Sequence, residues 1–259
     1  MDAPGTPIFE AREAGKIFPS WGGTVHALHS VSFSFSSGQS LGIVGESGAG
    51  KSTVLSLLLG LERPSSGAVL FHGRAIDPAD RALMSFLRRQ VQVVFQDPRT
   101  SLDPRMRVGS IIAEPLRAQR IPGDHAAAVR AALESVGLDP EVASRYPREF
   151  SGGQRQRIAI ARALAPSPGV LIADEPVSAL DVSVRTKILD LIESLKARLG
   201  LTLVLVSHDL AVVGRLCDQI LVLKDGRIVE SGSAAALFSN PQSTYTRRLL
   251  DSVPTLAVG

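Results

Sequence analysis

The sequence holds a single cysteine, Cys217, in 259 residues. One thiol excludes a disulfide framework and a cysteine-rich zinc site, and it fits a reducing compartment. Long apolar runs are missing too: none approaches the roughly 18 residues that a bilayer-spanning helix needs. The start, Met1-Asp2-Ala3-Pro4, has no basic segment followed by an apolar one, so no secretory leader is expected. Charge of one sign is also scarce. There are 28 Lys and Arg against 25 Asp and Glu, a formal net charge of +3, too mild to imply a nucleic-acid partner. Internal repeats and low-complexity linkers are absent. What remains is a globular composition, 44% hydrophobic and 20% charged. The chain is long enough for one large domain or two modest ones. A soluble, intracellular protein is expected, one that serves any membrane from outside the bilayer.

Val31, Phe33 and Phe35 alternate with Ser32, Ser34 and Ser36, which predicts a half-buried antiparallel strand closed by a turn at Ser37-Gly38. Three short apolar runs, Leu41 to Val44, Val170 to Ala173 and Leu203 to Val206, and the segment Val91 to Phe95, apolar except for Gln92, suit strands of a central sheet covered on both faces. Helical spacing follows Ser52 (Val54, Leu55, Leu58, Leu59) and Asp181 (Val184, Ile188, Leu191, Ile192, Leu195), the second stopping at Gly200. Ile220 to Leu223, Asp225-Gly226 and Ile228-Val229 predict a β-hairpin with a type I′ turn. Between about 105 and 165 strand signals fade, and two helical stretches remain, Ala126 to Val136 and Gln154 to Leu164. Asp124 is the N-cap expected for the first. The architecture is read as a mixed α/β core with a helical subdomain inserted at about 97–165.

Three segments carry chemistry. Gly45-Glu46-Ser47-Gly48-Ala49-Gly50-Lys51-Ser52 fits G-x-x-x-x-G-K-[ST] between an expected strand and an expected helix, the context of a phosphate-binding P-loop. Glycines let backbone N–H groups turn inward around phosphate oxygens, and the helix N-terminus adds partial positive charge. Lys51 supplies a charge for the β- and γ-phosphates, and Ser52 a hydroxyl for Mg²⁺. In Val170-Leu171-Ile172-Ala173-Asp174-Glu175-Pro176, an apolar strand delivers two carboxylates at its C-terminal end, where ligands of open α/β sheets bind. Asp174 is placed on Mg²⁺, directly or through water, and Glu175 as the base that activates water. Phe150-Ser151-Gly152-Gly153-Gln154 forms a second phosphate-friendly helix start about 100 residues after the first. One nucleotide rarely needs two such loops from one chain, so a dimer is expected in which this loop covers the partner's nucleotide.

Ser151-Gly152-Gly153-Gln154 resembles the signature motif of ATP-binding cassette (ABC) ATPases, and the order P-loop, signature, then the Walker B strand ending in Asp174-Glu175 is that family's. Gln96, in Val94-Phe95-Gln96-Asp97-Pro98, resembles its Q-loop glutamine. Ser178-Ala179-Leu180-Asp181 resembles the D-loop, and His208, in Val206-Ser207-His208-Asp209, the switch histidine. The resemblance spans about residues 8 to 250, with Phe150 where the signature more often has leucine. It implies a P-loop NTPase core with an antiparallel β subdomain and an inserted α-helical subdomain. The domain would run over 8–250, with 8–96 and 166–250 as catalytic core, 97–165 as helical signature subdomain and 251–259 as a short tail. ATP would be the substrate, with its phosphates in the loop from Gly45 to Thr53 and Mg²⁺ organised by Ser52, Gln96 and Asp174. His208 would contact the γ-phosphate. The family's adenine-stacking aromatic falls on Phe18, with Trp21 as rival.

Phe95 to Arg105, with Glu114-Pro115-Leu116, resembles the oligopeptide/dipeptide/nickel importer branch. So does the tail, Asn240-Pro241-Gln242-Ser243-Thr244-Tyr245-Thr246 before Leu249-Leu250, although Ser243-Thr244 stand where that branch more often has His-Pro. The branch implies a nucleotide-binding subunit on the cytoplasmic face of the cell membrane. Its partners would be a second cassette, identical or paralogous, two integral-membrane permeases and, indirectly, an extracytoplasmic solute-binding protein. Arg99, Arg105, Arg107, Arg117 and Arg120 read either as a solvated basic face or as a permease-docking surface near anionic lipid. A DNA-acting ABC ATPase is disfavoured, because about 100 residues without heptads or cysteine separate P-loop and signature. The alternative is a soluble accessory cassette of a cytosolic complex resembling carbon–phosphorus lyase.

Overall fold

The computed structural model describes residues 7–251. The start at Met1 and the tail expected at 251–259, Asp251 excepted, lie outside the described residues. Two compact units are formed, one from 7–87 with 203–251 and one from 88–202.

The first unit opens with strands β1 (Phe9–Ser20), β2 (Gly23–Phe35) and β3 (Ser40–Val44) and helix α1 (Lys51–Leu58). Strands β4 (Ser66–Phe71) and β5 (Arg74–Ala75) and helix α2 (Arg81–Gln90) follow. An antiparallel sheet runs in the order β2-β1-β4-β5. Phe9 faces Phe35 on one neighbour and Phe71 on the other. Its ring lies 5.5 Å from Phe35 and 4.9 Å from Phe71, and the three side chains are buried. Each such side chain contributes about 1.5–3 kcal/mol by leaving water. The serine alternation in β2 is as expected: Val31 and Phe35 are buried, Phe33 is half-buried, and Ser32 and Ser34 are exposed. The strand begins earlier than the alternation, at Gly23, because it pairs with β1 up to a two-residue turn at Trp21-Gly22.

The second unit contains strand β6 (Val91–Val94) and helices α3 (Pro98–Ser101), α4 (Val108–Ala118), α5 (His125–Ser135) and α6 (Gly152–Leu164). Strand β7 (Val170–Asp174) and helix α7 (Val182–Leu199) complete it, and β6 pairs with β7 in parallel. The expected strand to Phe95 is longer than the one formed: β6 stops at Val94, and Phe95 is 47% exposed. Three long helices, not two, fill 105–165. The unexpected one is α4, which carries Pro115 inside it. Ile111, Ile112 and Leu116 form its buried face, and the helix continues past the proline with Gln119 N–H on Pro115 O at 3.1 Å. In α7, Ile188, Leu189, Ile192 and Leu195 are buried, and Gly200 ends it in the left-handed conformation.

Asp124 caps α5 as expected, its Oδ1 accepting the N–H groups of Ala126 at 2.8 Å and Ala127 at 3.0 Å. The bonds from Ala127 and Ala126 hold its carboxyl below the ordinary 3.8. A depressed folded pKa contributes stability above the unfolded value and loses it as pH falls through the folded one. Asp124→Ala is therefore expected to lower Tm at pH 7, with the gap to the unmodified chain closing below about pH 3.8. Thermal unfolding at several pH values checks this.

The chain returns to the first unit through β8 (Thr202–Ser207), α8 (Leu210–Leu216), β9 (Gln219–Lys224), β10 (Arg227–Ser233), α9 (Ala234–Ser239) and α10 (Thr244–Asp251). There β3 lies between β8 and β9, parallel to both, and β10 adds antiparallel to β9. All five residues of β3 are buried, as its apolar run requires. The β9–β10 turn has φ 47° at Asp225 and 71° at Gly226, the two positive values of a type I′ turn.

Candidate functional site

In the first unit β3 ends at Val44, and the glycine-rich segment turns directly into α1. Gly50 caps the helix at φ 105°, and a Cβ there would sit 2.8 Å from Ala27 O, so only glycine fits. Lys51 is 8% exposed, and its Nζ donates to Gly45 O at 2.6 Å and Glu46 O at 2.9 Å. The cation is thus folded back over the loop it belongs to. Ser47 and Gly48 are exposed, as is Ser52, while Ala49 is buried and Gly50 and Thr53 are half-buried. Two contacts from distant sequence brace the loop. Gly226 N–H donates to Ala49 O at 3.0 Å, and Glu46 N–H to the Tyr245 hydroxyl at 3.1 Å. In the sequence Tyr245 stands out only as part of the tail motif. No local signal ties it to residue 46.

Phe18 and Trp21 differ sharply. Phe18 is half-buried on β1, and the Lys16 ammonium lies 4.8 Å from its ring centre. Lys16 is itself fixed by Glu62 at 2.6 Å and by the Arg63 carbonyl. Trp21 occupies the hairpin turn and is fully exposed. Phe18 therefore has an oriented ring, and Trp21 has none of its rotamers restricted by packing. His208 follows β8 and is exposed. The preceding Ser207 is buried, and its Oγ accepts Asp209 N–H at 2.9 Å. Asp209 in turn caps α8 through Ala211 and Val212. The imidazole is thus carried between two fixed neighbours.

The second unit carries the carboxylates. Asp174 ends β7, and Glu175 follows with φ 44°, a left-handed conformation that costs a glutamate about 1–3 kcal/mol. Its carbonyl accepts Ser178 N–H and Oγ–H, which locks the turn. Its Oε2 accepts from Gln96 Nε2 at 3.1 Å. Gln96 and Asp174 line one hollow with Phe95, Thr100, Ser101 and Arg162. Gln96 was expected among the Mg²⁺ ligands; here its amide nitrogen is bonded to Glu175. A carboxylate and an amide oxygen beside an open hollow suit a hard cation that also takes phosphate oxygens and water. Burial pushes the Arg162 guanidinium below its ordinary value, against the opposing pull of Glu114.

Ser151 caps α6, with its Oγ accepting Gln154 N–H at 3.3 Å, and Gln154 Oε1 accepts Ser151 N–H at 3.0 Å. This reciprocal box gives Gln154 a structural task that the motif alone did not disclose. Gly152 and Gly153 form the first turn. A Cβ on Gly153 would lie 2.5 Å from Val184 Cγ1, so any larger residue there requires the Val184 side chain to shift. Phe150 is buried under the Arg145 guanidinium, 4.7 Å from its ring centre. Asp181 precedes α7 and is exposed. Arg99, Arg105, Arg107, Arg117 and Arg120 are all exposed, and Arg107 bonds the Ser144 carbonyl.

A parallel strand, a glycine-rich turn and a helix that opens on a buried lysine define a P-loop nucleotide-binding protein. The chain belongs to the ABC transporter family, whose family model matches residues 28–178. Two glutathione import ATP-binding proteins, GsiA from Escherichia coli (strain K12) and GsiA from Salmonella typhi, are 49% identical to it across 96% of this chain and 42% of theirs. The chain thus spans less than half the length of these relatives. Among solved structures, cbiO1 from Clostridium perfringens, part of the ABC transporter complex cbiONQ, aligns with TM-score 0.80 at 31% identity, covering 91% of this chain and 92% of that one. The dimeric ATP-binding cassette MJ0796, in a post-hydrolysis state bound to ADP and Pi, aligns with TM-score 0.78 at 29% identity over 87% of this chain and 98% of that one. The fold is that of an ABC cassette. Among the described residues no helix is long and apolar enough to cross a membrane.

Proposed function

We propose that the chain hydrolyses ATP to power an ABC importer of peptides, nickel chelates or a related small solute, with a glutathione-like peptide favoured by the relatives. The Glu175 carboxylate, held by Gln96 at 3.1 Å on a strained backbone, carries the ATPase reading. The identity to glutathione import proteins supports the importer over an accessory cassette of a cytosolic complex. In this reading a single ATPase domain covers 8–250, with core 8–96 and 166–250 and a helical signature subdomain 97–165. The segment from Gly45 to Thr53 binds the phosphates, Ser52, Gln96 and Asp174 organise Mg²⁺, and His208 touches the γ-phosphate. Glu175 activates water. Ser151, Gly152, Gly153 and Gln154 serve the nucleotide of a second cassette, with Asp181 at the joint. Catalysis is then largely positioning and charge stabilisation. Two permeases hold the cassette pair at the cytoplasmic face of the membrane, and a solute-binding protein delivers the cargo. Binding of ATP favours the closed pair and hydrolysis the open one.

Phe18 stacks on adenine. Phe18→Ala is expected to weaken ATP binding roughly 5- to 100-fold, and Trp21→Ala to leave it within about twofold. Equilibrium titration of both variants decides between the two rings. The importer itself is tested by co-purification. Tagged Glu175→Gln protein, recovered from detergent-solubilised membranes of its host with ATP present, should bring two multispanning permeases. A soluble enzyme complex with no membrane subunit would overturn the importer and favour the accessory cassette.

A further inference from the structure

The last helix of the first unit reaches the phosphate-binding loop. Tyr245, on α10, is 8% exposed, and its hydroxyl oxygen accepts the Glu46 N–H at 3.1 Å. The carbonyl of that same peptide unit, Gly45 O, accepts from Lys51 Nζ at 2.6 Å. One peptide plane at the loop mouth is therefore gripped at both ends. The two grips differ in what a nucleotide does to them. Lys51 must leave Gly45 O to reach a phosphate, whereas Tyr245 has no need to move.

Tyr245 is itself held from several sides. The Lys224 ammonium lies 5.1 Å from its ring centre. Ser243 Oγ accepts the Tyr245 N–H at 3.2 Å. Just before α10, Glu230 of β10 accepts the N–H of Gln242 at 2.7 Å and of Ser243 at 3.0 Å. Burial works to raise the Glu230 carboxyl, but Thr246, these two amides and Arg247 outweigh it and keep it below its ordinary value. Strand β10 starts at the hairpin whose Gly226 N–H bonds Ala49 O. The hairpin and the tail helix thus form one brace, which meets the loop at residues 46 and 49.

We infer that Tyr245 is a positioning residue for nucleotide binding, whose hydroxyl fixes the Gly45–Glu46 peptide so that the loop keeps its shape when Lys51 turns to the phosphates. This rests on the reading of residues 45–53 as the nucleotide loop. The hydroxyl acts through its bond to the Glu46 N–H.

The test is calorimetric titration of the full chain with ATP and Mg²⁺. Tyr245→Phe removes one oxygen and keeps the ring and its Lys224 contact. It should raise the Kd for ATP about 2- to 10-fold with binding stoichiometry unchanged, and Tm should move by less than about 3 °C. Glu230→Gln, which loosens the tail without touching Tyr245, should raise Kd in the same direction by less. An unchanged Kd in Tyr245→Phe would overturn the inference. So would a fall in stoichiometry at unchanged Kd, the mark of a merely structural role. If the unmodified chain binds no ATP, the nucleotide-loop reading fails and the inference with it. That outcome differs from a chain that binds ATP equally well with and without the hydroxyl.

Discussion

Glu175→Gln should lower ATP hydrolysis by roughly 10²- to 10⁴-fold and leave ATP binding intact. The exchange is nearly isosteric. Gln96 Nε2 now donates to Glu175 Oε2 at 3.1 Å, and an amide oxygen at position 175 can accept the same bond. The turn is locked through the residue 175 carbonyl, which the substitution does not alter. What disappears is the carboxylate's negative charge and, with it, the basicity that the proposed role requires. Phosphate release and equilibrium ATP binding, measured on one preparation, check both halves. Unchanged turnover would remove Glu175 from the role of base and leave it as a structural partner of Gln96.

Lys51→Ala is expected to act earlier, cutting ATP affinity and hydrolysis together by roughly 10²- to 10³-fold. The ammonium is buried and satisfied by two carbonyls of its own loop, Gly45 O and Glu46 O. In the proposed reading its removal deletes the charge that the phosphates would meet, and it leaves both carbonyls without that donor. A compensating collapse of the loop is restricted, because Glu46 and Ala49 are tied to Tyr245 and Gly226. The Tm of the variant separates lost binding from lost folding. A variant that still bound ATP with near-normal affinity would show that the backbone cradle alone suffices.

Much of this architecture was legible along the chain wherever one period ruled a segment. The apolar runs of β3, β7 and β8 lie in strands because continuous burial leaves no other periodicity to read. The Asp225-Gly226 turn was legible because two adjacent positive φ values demand those residue types. Strand β1 was hidden because it is irregular. Its register with β2 shifts between Ala11 and Ala14, again to Lys16 and again to Ile17, and Glu13 has φ 49°, so no alternation survives. Helix α4 was hidden by Pro115, which reads as a breaker although packing of Ile111, Ile112 and Leu116 carries the helix through it. At the candidate site, loop composition and strand-end carboxylates marked residues 45–53, 174 and 175. The Gln96–Glu175 and Glu46–Tyr245 bonds join residues 79 and 199 positions apart, and no local pattern encodes a pair at such range.

The left-handed backbone at Glu175 makes the chain a poor subject for stability-driven engineering at that point. Glycine, or to a lesser degree asparagine, takes φ near 44° with less strain than glutamate. A library screened only for survival on heating would therefore drift toward those residues at position 175. With Glu175 as the proposed base, it would enrich proteins that fold better and no longer turn over. The same bias would act on any consensus built by ranking residues on backbone fit. In the proposed role, glutamate holds that turn against its own conformational preference.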